Sequence, residues 1–242
     1  MNTTAPPPAG RAAGLPVDDI TRLPEAAHDC RYLLARGYPR QASLNLVGNR
    51  YHLSQAAREI LHRGVFAPAV ARQRRAKLVA AASLRGRPLA LDGHNVVITL
   101  ECARRGLPLV AADDGFIRDI GRLSRAYRPS PLTTAVLREI AHYLAAHGVG
   151  PVTVYYDAPM SRSGELAALT RTILAAAGLA GSAEAVPVPE ALLLADGGVI
   201  ASSDTDLIDR CSQVVDVAGE IIRQGDSGPL ISLNFVGKEL DS

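Results

Sequence analysis

From residue 88 onward, short apolar runs alternate with helical patterns, and four of those runs lead straight into aspartate. The runs are PLAL (88–91), PLVAA (108–112), PVTVYY (151–156), GVIAS (198–202) and QVVDV (213–217), with helical patterns at 95–105, 132–147, 164–177, 204–211 and 218–223. This alternation predicts an α/β fold with a mostly parallel central sheet and helices on both faces. Ligands of such sheets bind beyond the carboxyl ends of the strands.

That edge is acidic. PLAL leads into Asp92 in DGHN, PLVAA into Asp113 and Asp114 in DDGF, PVTVYY into Asp157 in DAPMSRSGE, and GVIAS into SSDTD with Asp204 and Asp206. One aspartate after a strand is an ordinary cap or turn residue; four in succession predict a shared site. Two carboxylates about 4 Å apart repel by roughly 4 kcal/mol at an effective dielectric near 20. Such a cluster needs protons or a cation, and hard oxygen ligands suit Mg²⁺ or Mn²⁺. The chemistry expected of it is metal-assisted phosphodiester hydrolysis.

Neighbouring residues fill out the expected site. Asn95 follows Asp92 at a spacing that orients the carboxylate, binds a phosphate oxygen or caps the helix, and Thr99 shares its face. Glu101 lies about 240° round the same helix and points elsewhere unless the helix starts later, so it stands as a reserve candidate for the metal shell beside Asp113 and Asp114. Ser161, Arg162 and Ser163 precede a helix, where hydroxyls, a guanidinium and free N–H groups cradle a phosphate or simply cap. His94 reads as a structural or solvent-facing histidine.

Residues 17–87 are different, with helical periodicity throughout and no strand-type alternation. Leu23, Ala26, Ala27, Cys30, Leu33 and Leu34 mark one helix, stopped at Gly37. Pro39 opens a second, Ser54 caps a third, and APAVARQRRAKLVAAASL (67–84) makes a fourth, so a small bundle is expected. Residues 1–88 carry 14 Lys+Arg against 5 Asp+Glu, and residues 89–242 carry 12 against 19. A net +9 segment joined to a net −7 one suggests a polyanion-gripping module beside a cation-binding module. Arg31, Arg36, Arg40 and Arg50, interleaved with Tyr32, Tyr38 and Tyr51, suit phosphate contact and base stacking on single-stranded or structured RNA. The Arg72–Lys77 cluster adds a phosphate-tracking stripe. The competing role is packing, with arginines paired to acids of the body.

A strand-terminal DGxN, a mid-chain strand ending in Asp and a late strand running into S-D-x-D resemble the PIN-like superfamily, particularly its NYN-type branch. The likeness covers about residues 88–223. It implies a central parallel sheet, an acidic cluster that binds divalent cations, and ribonuclease activity. Asp92, Asp157 and Asp204 match the core acids, and Asp206 the frequent second acid of the late motif. The acid that PIN domains carry between the first two falls to Asp113 or Asp114. Over nearly its whole length the chain also resembles a family of uncharacterised microbial proteins, which join a helical head, RYLLxRGYPRxxxLxLVGNRYxL, to a DGxN–DDGF–DAPxSRSGELA–SSD body.

The organisation expected is a disordered Pro- and Ala-rich lead (1–16), a basic helical domain (17–87) and a PIN-like α/β domain (88–242). No apolar run reaches the roughly 20 residues that span a bilayer, and the start of the chain lacks a secretory pattern. Cys30, Cys102 and Cys211 have no paired spacing, which disfavours disulfides and a zinc ribbon, so a cytoplasmic protein is expected. The sequence is compatible with a homo-oligomer. The leading functional expectation is an Mg²⁺- or Mn²⁺-dependent endoribonuclease. The alternatives are a catalytically weak RNA- or protein-binding module and a metal-dependent phosphohydrolase of small substrates.

Overall fold

The computed structural model describes residues 15–120, 127–195, 197–225 and 229–233. Most of the expected lead, residues 1–14, lies outside them.

The first helix, α1 (Val17–Ala35), carries Asp18 and Asp19 in its first turn, where negative charge suits the helix dipole, and buries Leu23, Ala26, Ala27 and Cys30. Gly37, at φ +80°, turns the chain out of it. Helix α2 (Arg40–Arg50) begins directly after Pro39. Helix α3 (Gln55–Gly64) is capped by Ser54, which accepts the Ala57 N–H. Helix α4 (Pro68–Lys77) stops short of the expected Leu84. Beyond it, the Val79 N–H donates to the Val214 carbonyl at 2.8 Å, and a single 3-10 turn covers Ala81–Leu84. Pairing with the body therefore overrides the helical propensity of the alanines.

The body continues as β1 (Leu89–Asp92), α5 (Gly93–Arg104), β2 (Leu109–Ala111), β3 (Ile117–Asp119), α6 (Pro131–Ala146), β4 (Val152–Asp157) and α7 (Ser163–Ala176). Then come β5 (Gly181–Val186), α8 (Pro189–Ala195), β6 (Val199–Ala201), α9 (Thr205–Arg210), β7 (Gln213–Val215), α10 (Val217–Gln224) and β8 (Leu230–Ser232). Five strands form a wholly parallel sheet in the order β5-β4-β1-β6-β7. Strand alternation divides its two faces: Leu89 and Leu91 pack with residues of α5, α6, α7 and α10, while Ala90 and Ile200 pack with Leu193, Leu207 and Ile208 of α8 and α9. The fold is thus α/β with helices on both sides, preceded by a helical region, as expected. The chain first builds outward from β1 through β4 to β5, then returns to the other side of β1 with β6. The switch in direction falls between β1 and β6, where doubly wound sheets open a crevice at their carboxyl edge.

One sequence expectation needs correction. PLVAA does not join the main sheet. Strand β2 pairs antiparallel with β3 and parallel with β8 in a separate three-stranded sheet. The reason is connection length: the Ala112 N–H donates to the Phe116 carbonyl at 2.9 Å, and Gly115 sits at φ +92°, so DDGF closes a hairpin. A parallel crossover needs a dozen or more residues. Asp113 and Asp114 therefore leave the acidic edge.

The small sheet is a layer shared by head and body. Leu109 and Ile117 join the main core, whereas Val110, Ile120 and Leu233 pack with Leu23, Val47, Ile60 and Leu61 of the head. Gly64 makes this contact close, since a Cβ there would lie 2.6 Å from Val110 and 2.8 Å from Leu233. Asp114, fully buried, accepts from Arg118 through both carboxylate oxygens (2.8 and 2.9 Å) and from Arg74 of α4 at 3.3 Å. No helix among the described residues is long and apolar enough to cross a membrane.

Asp114→Asn keeps the shape but leaves the buried Arg118 guanidinium without its counter-charge, whereas Arg74 keeps Asp209 through two bonds of 2.7 Å. It is expected to cost about 3–5 kcal/mol, read as a lower urea midpoint. A loss below about 1 kcal/mol would refute a tying role for this pair.

Candidate acidic cleft at the sheet switch point

A cleft of about 190 Å³ opens where β1, β4 and β6 end. Asp92, Asp119, Asp157, Glu190 and Asp204 supply its carboxylates, with Arg63, His94 and Asn95 beside them. Asp92 ends β1 and also caps α5, accepting the Asn95 N–H at 3.3 Å. Its other oxygen accepts from Ser202 Oγ at 2.9 Å, and that hydroxyl in turn accepts the Asp204 N–H at 3.0 Å. Asn95 Oδ1 accepts from the Ser203 N–H (2.8 Å) and hydroxyl (3.0 Å), so Asn95 locks the SSD turn to α5. Asp204 caps α9 through the Asp206 and Leu207 N–H groups (2.9 and 3.2 Å). The glycine of DGHN is required by crowding, because a Cβ on Gly93 would sit 2.3 Å from the Tyr156 ring.

His94, expected to be structural or solvent-facing, is buried at the edge of the cleft. Its Nδ1 accepts the Asp157 N–H at 3.1 Å, which places the proton of the neutral ring on Nε2, and the ring packs edge-on against Tyr156 at 5.0 Å. Burial holds its pKa below the ordinary value, against the pull of the Asp157 charge. Glu101 points away from the cleft, accepting from Arg105 at 2.7 Å and Tyr127 at 3.1 Å.

Asp92 carries the electrostatic signature of the site. Burial raises its pKa to about 7; the bonds from Ser202 and Asn95 oppose the rise, and the charges of Asp204 and Asp157 add to it. The donors suit an Mg²⁺ or Mn²⁺ ion that keeps its waters and takes one or two carboxylates plus a substrate oxygen. They do not form a closed cage: among the described residues no three His, Cys, Asp or Glu side chains converge to hold a metal ion.

Several expected site residues lie elsewhere. Asp113 accepts from Arg31 (2.8 and 2.6 Å) and from the Phe66 N–H (3.1 Å), tying head to hairpin, and Asp114 is held by its arginines. Asp206 is solvent-facing on α9 and pairs with Arg210 at 3.1 Å, because the Asp204 cap turns the next residues outward. Arg162, at φ +62°, pairs with Glu165 and lines a different cavity, with Arg138 and Leu169. Ser161 is exposed near Arg128 at 3.5 Å, and the buried Ser163 hydroxyl closes the loop on the Asp157 and Met160 carbonyls (2.6 and 2.7 Å). In the head, Arg31 and Arg40 are engaged in packing; Arg40 donates to the Val65 carbonyl at 2.7 Å and to that of His62. Arg36, stacked on Tyr32 at 3.9 Å, and Arg50, 3.5 Å from Asp29, remain on the surface. Arg63, Asp119 and Glu190 enter unanticipated. Asp119 was findable from the hairpin turn, which makes IRD a strand.

Fold and cleft together define a doubly wound α/β protein with a carboxylate-lined crevice at its switch point. The chain belongs to the family described as "Domain of unknown function (DUF5616)", whose model matches residues 81–220. A second model, "Protein of unknown function (DUF434)", matches residues 22–77. "Uncharacterized protein MJ0935" of Methanocaldococcus jannaschii is 29% identical over 202 residues, which cover 83% of this chain and 96% of that protein. No solved structure gives a significant match.

Because the folded state holds the Asp92 proton more tightly than the unfolded chain, the stability it confers is full below about pH 4 and is lost as pH rises through 7. Asp92→Asn in metal-free buffer is expected to melt higher than the parent at pH 8 and equally at pH 4. The parent–variant difference removes His94, which titrates in the opposite sense. An identical pH profile for both proteins would contradict a raised Asp92 pKa.

Proposed function

We propose that the cleft is the active site of an Mg²⁺- or Mn²⁺-dependent ribonuclease acting in the cytoplasm. The observation that carries the reading is that Asp92, Asp157 and Asp204 line one cleft at the switch of the parallel sheet, with Asp92 raised to about 7 by burial and, in smaller part, by the other two charges. The PIN-like resemblance of the DGxN and S-D-x-D motifs supports the same chemistry. Asp92 and Asp204, with Asp157 facing them, would hold the cation, which when bound supplies Lewis-acid activation of water and charge neutralisation on the phosphodiester. Ser202 and Asn95 orient the two acids. The open arrangement leaves part of the cation's shell to the substrate phosphate.

A second reading, a PIN-like module that binds RNA without cutting, is favoured by one observation: no three acidic side chains close on a common point among the described residues. Cleavage of a labelled RNA with Mn²⁺ separates the two. Asp92→Asn and Asp204→Asn are each expected to lower the rate at least about 100-fold while leaving RNA affinity within a few-fold. Absence of cleavage by the parent across varied RNAs, with binding retained, would replace the first reading by the second. Cleavage undiminished in both variants would remove the acidic cleft from the chemistry.

A further inference from the structure

Arg63 is the one cationic side chain among the described residues lining the acidic cleft, and it comes from the head. It stands in the last turn of α3, half-buried, where both neighbouring carbonyls are engaged by the small sheet. The Gly64 carbonyl accepts the Asp113 N–H at 2.8 Å, and the Arg63 carbonyl faces Arg118 Nη1 at 3.4 Å. Gly64 itself is pressed onto Val110 and Leu233 too closely for a side chain. The same Arg118 donates through Nε to the Ser203 carbonyl at 2.7 Å, next to Asp204. One buried guanidinium therefore fixes the backbone that carries Arg63 and the turn that carries Asp204 in a single frame.

The cleft needs such a cation. Asp92, Asp119, Asp157, Glu190 and Asp204 face it from β1, β3, β4, α8 and the α9 cap. A phosphodiester entering it meets the like charge of several carboxylates, which repels it. A metal ion held among the acids would offset part of that repulsion; a guanidinium adds a planar fork that matches two non-bridging phosphate oxygens. The other arginines expected to grip phosphate are committed elsewhere or face other surfaces. Arg31 holds the head to the hairpin, Arg40 is engaged within the head by the Val65 and His62 carbonyls, and Arg162 pairs with Glu165.

We infer that Arg63 is the phosphate-contacting residue of the cleft, so that the head completes the substrate site of the body instead of gripping RNA on a separate surface. The inference rests on the ribonuclease reading for what the cleft does to the phosphate, but not for whether the guanidinium binds it.

The test uses the full chain and a short labelled single-stranded RNA. Binding is measured in Ca²⁺ at several salt concentrations, and cleavage in Mn²⁺. Arg63→Ala is expected to weaken binding at least about five-fold, to reduce the salt slope by about 0.7, and to lower kcat/KM about 100-fold at an unchanged melting temperature. Arg63→Lys should restore the slope but only part of kcat, because it lacks the fork. Arg22→Ala, which removes a partly exposed head charge paired with Asp18, should change each by less than two-fold. If Arg63→Ala loses melting temperature, Arg63→Gln, which keeps most of the side-chain stem, takes its place. Arg63 variants that bind and cleave like the parent, or lose no more than Arg22→Ala, overturn the inference and leave the ribonuclease reading intact. Binding that depends on Arg63 in a protein that never cleaves keeps the phosphate contact and removes the ribonuclease.

Discussion

The paired charges of Asp114 and Arg118 hold the molecule's parts in register. Both are nearly or fully buried, they meet through two parallel bonds, and each then reaches a third element: Asp114 to Arg74 of α4, Arg118 to Ser203 and the end of α3. Burying such a pair in isolation would cost more desolvation than it returns. Here remaining N–H groups of Arg118 find carbonyls, and the ring of Phe66 lies 4.5–5.2 Å from the guanidinium carbons of Arg74, Arg40 and Arg118. The result is a polar knot between three layers that would otherwise slide on apolar contacts. Through the Ser203 carbonyl it also braces the turn that carries Asp204, although neither member lines the cleft.

Much of the fold was legible because the strands of the main sheet are continuous apolar runs with aspartate or glycine punctuation. Those at PLAL, PVTVYY, GVIAS and QVV appear where the pattern put them. Three others were not readable. Strand β5, GSAEAV, is an edge strand with only Ala183 fully buried, so its alternation is faint. Strand β3 buries an arginine and an aspartate, which no hydrophobic pattern anticipates. Strand β8 is three residues long and depends on a partner far back in the chain. In the candidate site, the acids nearest the strand ends were legible from local sequence. Glu190 and Arg63 were not, because tertiary packing alone brings them to the cleft, and Asp119 becomes visible only once DDGF is recognised as a hairpin turn. The error over Asp113 and Asp114 has the same origin: strand-end logic treats all strands as members of one sheet.

Capping and site-building proved to be one act. Asp92 and Asp204 each anchor the first turn of a helix and also face the cleft. A capping carboxylate is fixed in direction by backbone N–H groups, and Ser202 adds to that hold on Asp92. Asp216 shows the same device turned inward, its buried carboxylate accepting from Ile117 and Gly219 N–H groups at 2.8 and 2.9 Å.

The small sheet has a further consequence. The two family models meet between residues 77 and 81, yet β2 sends Val110 into one core and Leu109 into the other. A border that is sharp in sequence thus runs through the middle of a shared hydrophobic layer. Head and body are therefore expected to melt as one cooperative unit, and a head exchanged between relatives to pack poorly unless the hairpin and the C-terminal strand travel with it. Inheritance of the two segments as a pair follows from that packing.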